Sequence, residues 1–440
     1  MDVLIKILQF VLSFSLLVIV HEFGHFLFAK IFGVRVEQFQ LFFGKPWLKV
    51  RRGDTLYGIG WIPFGGFVKL SGMIDESMDT AQMEGEPQPW EFRTKPAWQR
   101  LLIMVGGVMM NVVLALVIYI GMIQAWGESY ISTDDMRYGM VFSPAAEELG
   151  FRDGDLILSV GGERTDDYQR LVTKVLIEPG AEVVVLRDGV EHTFAMPVTS
   201  IMDYMEDPDL IAPRYPFDVA EVVEGFGAAE AGVVVGDRLV SLGGKPMRYF
   251  DEYTSELPKV AGRTVMLGIE RDSAGVTLHK ELAVVVSEDG LIGISVDGSK
   301  VMKVLTHEYG FWGSIPAGVK RVGREISDYW KQVKMMVKPK TEAYKALGGP
   351  LSIGNIFPNE WSWERFWNIT ALLSIILAVM NILPIPALDG GHVLFLLAEV
   401  ITGRKPSDKF LMYAQTVGMM LLMTLMVYAT WNDIMRIFVK

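Results

Sequence analysis

Apolar residues follow three kinds of pattern along this chain. Four stretches are apolar almost throughout: Leu4–Phe28, Leu101–Trp126, Ile369–Ala398 and Phe410–Thr430. Each reaches the roughly 20 residues that a helix needs to cross a bilayer, so four membrane-spanning helices are predicted. Between the second and third, apolar residues come in short alternating runs such as "AEVVVLRDG" and "TVMLGIERD", which read as strands. Ser314–Lys338 is basic and loosely amphipathic. It predicts a helix lying on the outer membrane surface or packed on the soluble part of the chain.

The strand-rich insert repeats itself. "AEELGFRDGDLILSVGG" begins at Ala146 and "AAEAGVVVGDRLVSLGG" at Ala228. Gly150 and Gly232, Gly154-Asp155 and Gly236-Asp237, and Gly161-Gly162 and Gly243-Gly244 share one offset of 82 residues. A fixed offset over three landmarks signals a duplicated domain.

Composition supports the membrane reading. Half of the 440 residues are hydrophobic and the mean hydropathy is +0.29, too apolar for an ordinary soluble protein. There is no cysteine, so disulfides and thiolate metal sites are excluded. A metal would be held by His, Asp, Glu or water. The net charge of −11 is unevenly spread: Glu128–Lys300 holds 32 acidic and 15 basic residues, the remainder 20 and 26. An acidic insert in a basic, apolar frame argues against a nucleic-acid partner. Ten Lys/Arg lie between Lys30 and Arg100, and Arg404, Lys405 and Lys409 follow the third span. The excess of positive charge makes that side cytoplasmic. The termini and the insert then face outward, with "WSWERFW" (Trp361–Trp367) as an interfacial aromatic belt. The first span lacks a basic leader and a small-residue cleavage site, so it reads as a retained helix rather than a signal peptide.

Three of the six histidines, His21, His25 and His392, sit inside apolar segments. His21-Glu22-x-x-His25 places two imidazoles on one helix face, with a carboxylate beside them to take a proton from water. A chance pair of core histidines is the bland alternative, weakened because ionisable residues within a span are expensive and usually functional. A third ligand would come from elsewhere in the membrane. The third span holds "NILPIPALDGGH" (Asn381–His392), in which Pro384 and Pro386 break helix hydrogen bonding. Asp389 is the favoured ligand and His392 its rival.

These motifs resemble the site-2 proteases. His-Glu-x-x-His in the first span is joined by N-x-x-P-x-P-x-L-D-G from Asn381 to Gly390, matched at every fixed position, and the resemblance covers nearly the whole chain. It implies a polytopic α-helical membrane protein of four transmembrane helices, with a tandem PDZ β-sandwich insert and a membrane-associated β-hairpin. The expected division is a first span at 1–30, a cytoplasmic or re-entrant β region at 31–100 and a second span at 101–126. PDZ domains follow at 127–202 and 203–300, then surface helices at 301–367. A third span at 368–400, a loop at 401–409 and a fourth span with its tail at 410–440 complete it. The implied cofactor is Zn²⁺, held by His21, His25 and Asp389, with Glu22 as catalytic base. "PFGGFVKLSG" (Pro63–Gly72) is similar to the family's glycine-containing stretch, and Gly65, Gly66 and Phe67 are expected to receive substrate by strand addition. Asn381 is expected to hold the substrate backbone. Gly107-x-x-x-Asn111 matches a further motif, with Asn111 a candidate substrate contact.

The implied activity is intramembrane proteolysis of single-pass membrane substrates, such as a trimmed anti-sigma factor or remnant signal peptides, in a bacterial inner membrane. The PDZ domains would be periplasmic and would restrict access to an active site on the cytoplasmic side. Two rivals stand beside it: an inactive membrane-anchored PDZ binding protein, and a metal transporter.

Overall fold

The computed structural model describes residues 2–73, 85–198, 210–273, 275–297 and 303–438. The chain forms two compact units. One comprises residues 1–128, 308–337 and 344–440, and holds four helices long and apolar enough to cross a membrane. The other comprises residues 129–307 and 338–343.

In the helical unit, α1 (Asp2–Ile31) and α2 (Ala97–Trp126) cross where glycines let their backbones meet. A β-carbon on Gly24 would fall 2.2 Å from the Gly106 carbonyl oxygen, and one on Gly106 would fall 2.7 Å from that of Gly24. Between these helices the chain makes a four-stranded sheet of β1 (Val36–Phe43), β2 (Leu48–Arg52), β3 (Thr55–Ile59) and β4 (Ile62–Leu70). The strand order is β2-β3-β1-β4. β1 runs parallel to β3 and antiparallel to β4. The glycine-containing stretch at Pro63–Gly72 falls on β4, an edge strand paired with β1, and β2–β3 form a hairpin of the same sheet, closed by Gly53-Asp54. β4 packs on α1 because Gly66 has no side chain: a β-carbon there would meet Val18 Cγ1 at 2.7 Å.

α3 (Phe311–Met336) packs on α2. Gly318 admits Ile120, Val322 joins a core with Tyr119 and Ile375, and the Arg321 guanidinium lies over the Tyr119 ring. α4 (Pro350–Asn355) is tied to the end of the chain by Asp433, which accepts from the backbone N–H of Gly349, Leu351 and Ser352.

The third apolar stretch is not one helix. α5 (Trp363–Ile382) ends at the prolines and α6 (Asp389–Thr402) starts at the aspartate. Pro384 and Pro386 remove the donors needed to continue, and Ala387 turns the chain with φ +77°. Phe366 is buried among the Trp361, Trp363 and Trp367 rings at the start of α5. α7 (Asp408–Phe438) is the most exposed span.

The second unit contains the duplication. Met140–Phe142, Leu156–Val160, Glu163–Arg164, Glu182–Arg187, Val190–Ala195 and Ile211–Pro213 pair in the first copy. Val219–Val222, Arg238–Leu242, Lys245–Pro246, Thr264–Ser273, Val276–Val285 and Ile294–Val296 pair in the same order in the second. Each copy has its own apolar core. The repeated Gly-Asp has a structural cause. Arg187 donates two hydrogen bonds of 2.7 Å to fully buried Asp155, and Arg271 does the same at 2.6 and 2.7 Å to fully buried Asp237. The expected 202/203 boundary lies outside the described residues, but the first copy reaches Pro213, since Leu210 and Ile211 belong to its core.

Candidate metal centre

His21 and His25 are buried on the inward face of α1, one turn apart. His25 Nδ1–H donates to the Ile103 carbonyl at 2.8 Å, which in the neutral imidazole leaves Nε2 free, and that atom is turned toward His21. The two Nε2 atoms are 3.3 Å apart. Asp389, at the head of α6, places Oδ2 3.1 Å from His21 Nε2 and 3.4 Å from His25 Nε2. The proline break does the positioning, since an unbroken helix has no free first turn to aim a carboxylate sideways. Gly390 and Gly391 make the bend possible: β-carbons there would meet the Leu383 carbonyl oxygen at 2.1 Å and Pro386 Cα at 2.6 Å.

The three donors suit one metal ion. A tetrahedral zinc with bonds of about 2.0–2.1 Å spaces its ligands roughly 3.3–3.4 Å apart, close to the three separations found. Asp389 Oδ2 is buried with no hydrogen-bond partner, which is costly unless something positive meets it. His21, His25 and Asp389 are the only such donor cluster among the described residues. His392 lines the same cavity but stands outside that cluster.

Glu22 faces a cavity of about 570 Å³ that also holds the three donors. The backbone of Val68 lies beside its carboxylate. Val68 sits on β4, the outer strand of the sheet, and Gly66, Phe67, Val68, Lys69 and Leu70 all line this cavity. Among the described residues no further strand joins this outer side of β4, which lines the cavity that holds the donors. Asn381, the last polar residue of α5, points its amide at His21 Nε2 from 3.3 Å.

The expected substrate contacts divide. Gly66, Phe67 and Asn381 line the cavity. Gly65 does not; its φ of +72° turns the strand against the Phe43 ring, which lies 2.2 Å from where a β-carbon would be. Asn111 is fully buried behind His21, its amide 3.1 Å from Nδ1, and does not line the cavity. Three features escape sequence reading. The Ile103 carbonyl carries no side-chain signal, the fit of Gly107 under both imidazoles is visible only in space, and Gln415 of α7 enters the cavity from a distant segment.

A membrane-embedded helix pair, a strand edge and a His-His-Asp donor set define a zinc metalloprotease of the membrane. The chain belongs to peptidase family M50, the site-2 proteases, whose model matches residues 9–425. It is 31% identical to Protease RseP of Yersinia pestis, over 99% of this chain and 100% of the relative. It is 26% identical to the Regulator of sigma E protease of Haemophilus influenzae, over 98% of each. A Neisseria meningitidis protein named as a zinc metalloprotease is 28% identical over 98% of this chain and 99% of its own length.

Proposed function

We propose that this zinc metalloprotease cuts single-pass transmembrane segments within the membrane, with His21, His25 and Asp389 as the zinc ligands and Glu22 as the base. The observation that carries this reading is the shared cavity: the donor cluster, Glu22 and the free edge of β4 open into one space. A helical substrate hides its scissile carbonyl in its own hydrogen bonds. Once unwound, its backbone needs new partners in a setting without water. β4 offers such partners by strand addition, which holds a peptide extended for attack.

When bound, zinc supplies Lewis acidity for activating water and for charge on the carbonyl oxygen. Glu22 accepts the proton of the attacking water and returns it to the leaving amine. The Asn381 amide lies close enough to the donors to hold substrate backbone beside the scissile bond.

The repeats are read as PDZ-type lobes that restrict access on the periplasmic side, admitting substrates whose outer domain has been removed. Their matched strand order and separate cores support this reading. The basic residues of Lys30–Arg100 support a cytoplasmic position for the β sheet. The substrate class that fits is a trimmed anti-sigma-factor-like protein, with remnant signal peptides a second member, in a bacterial inner membrane. The deciding experiment replaces Glu22 by Gln in the full-length protein: zinc content stays and cleavage of a model single-span substrate ends. Retained turnover would remove Glu22 from the base role.

A further inference from the structure

We propose that Gln415 is a substrate-binding residue, whose side-chain amide takes up backbone groups on the edge of the extended substrate that faces away from β4. This rests on the proteolytic reading above.

α7 is mostly turned outward: Tyr413, Val417, Met420 and Leu421 are all more than half exposed. Gln415, Gly418 and Met419 share its opposite face, at spacings of three and four. Gly418 seats that face on the proline turn, where a β-carbon would overlap the Pro386 carbonyl oxygen. Gln415 is only 5% exposed, and the space it meets is the cavity that contains the donors and β4.

Polar residues in a span need partners. The threonines of α7 have them: Thr416, Thr424 and Thr430 donate to the carbonyls four residues earlier, at 2.8–2.9 Å. Among the described residues the Gln415 side chain has no hydrogen-bond partner. A buried primary amide left open toward an active-site cavity is matched to something that arrives there.

Strand addition explains what arrives. Pairing with β4 satisfies one edge of the substrate strand, while the N–H and C=O groups of its other edge point away. In a cavity at membrane depth those groups need partners too. A glutamine amide carries one acceptor and a donor group, enough to take a backbone N–H and a C=O together. Asn381 already stands against His21, so it serves the bond being cut. Gln415 reaches the cavity from a different helix and serves the strand's outer edge.

The test uses the full-length zinc-loaded protein in lipid nanodiscs and a single-span model peptide, backbone N-methylated at successive positions around the cleavage point. Gln415→Met fills a similar volume without hydrogen bonds. It is expected to lower kcat/KM about tenfold, the worth of about one hydrogen bond, with zinc content and thermal midpoint unchanged. At one position N-methylation should slow the wild type by a similar factor and leave Gln415→Met no slower. Wild-type kcat/KM in Gln415→Met, or additive losses at every position, overturns the proposal while leaving proteolysis intact. Loss of zinc from both Gln415→Met and Gln415→Leu also overturns it, by making the residue structural. Cleavage by Glu22→Gln in the same assay would instead remove the proteolytic reading itself.

Discussion

Gly107 and His25 leave no room for a methyl group between them: a β-carbon on Gly107 would lie 2.4 Å from His25 Nε2 and 2.7 Å from His21 Cε1. The glycine of α2 is therefore the floor on which both imidazoles rest. Gly107→Ala should push the ligand nitrogens off position. Overpacking of this kind costs about 1–3 kcal/mol, so zinc affinity should fall roughly tenfold to hundredfold, measured by competition with a chelator. Unchanged affinity would show that the helices yield freely at their crossing.

Asp389 and His392 can be separated by metal content. Asp389 Oδ2 stands 3.1 Å from His21 Nε2, whereas His392 is outside the donor cluster. Asp389→Ala should lose zinc from the purified protein, and His392→Ala should retain it. The opposite result would transfer the third ligand to His392.

Asn111 acts on His21 from behind. The Asn111 Nδ2 stands 3.1 Å from His21 Nδ1 and its Oδ1 is buried without a partner; a histidine that binds metal through Nε2 carries its proton on Nδ1, and turning the amide over presents Oδ1 to that proton. Asn111→Leu should weaken zinc binding about 10–100-fold, the usual range for a lost orienting partner. Asn111→Asp keeps an acceptor and should retain most of the affinity. Equal losses in both variants would point to packing rather than hydrogen bonding.

The first repeat contains an acid-sensitive contact. Lys174, fully buried, donates to Glu163 at 2.8 Å and lies 3.1 Å from Glu178. The hydrogen bond from Lys174, helped by Arg170, holds the Glu163 carboxyl down at about 2. A lowered folded-state pKa stabilises above the ordinary carboxylate range, and that stabilisation is lost as pH falls from about 4.5 toward 2. Hydrogen exchange in residues 156–195 of the full-length protein should speed up over this window. Glu163→Gln should remove much of the dependence. Glu163 is itself about half exposed, so solvent screening keeps the effect modest.

Local pattern was enough for much of the architecture. Apolar length marks the spans, since a helix in lipid must be apolar over the bilayer thickness. The duplicated Gly-Asp marks two copies because each copy repeats the same buried Asp–Arg contact. His21, Glu22 and His25 were legible because helix geometry alone puts them together. Asp389 was legible as a lone carboxylate beside two prolines.

Other features depend on residues far apart in sequence meeting in space. Nothing local shows that Pro63–Gly72 would be the outer strand of a four-stranded sheet, since pairing partners decide which edge stays open. Nor could periodicity show that Ser314–Lys338 packs on α2, because an amphipathic face does not name what covers it. Asn111 and Gln415 are single polar residues in apolar helices. Only helix rotation and crossing decide that one stands behind a histidine while the other opens on the cavity. The sequence by itself determined which residues could hold a metal and cross a membrane, because those properties are set by residue type and spacing. Tertiary structure decided which of them share a cavity, because that follows from close approach at Gly24, Gly106 and Gly107 and from the turn at Pro384–Asp389.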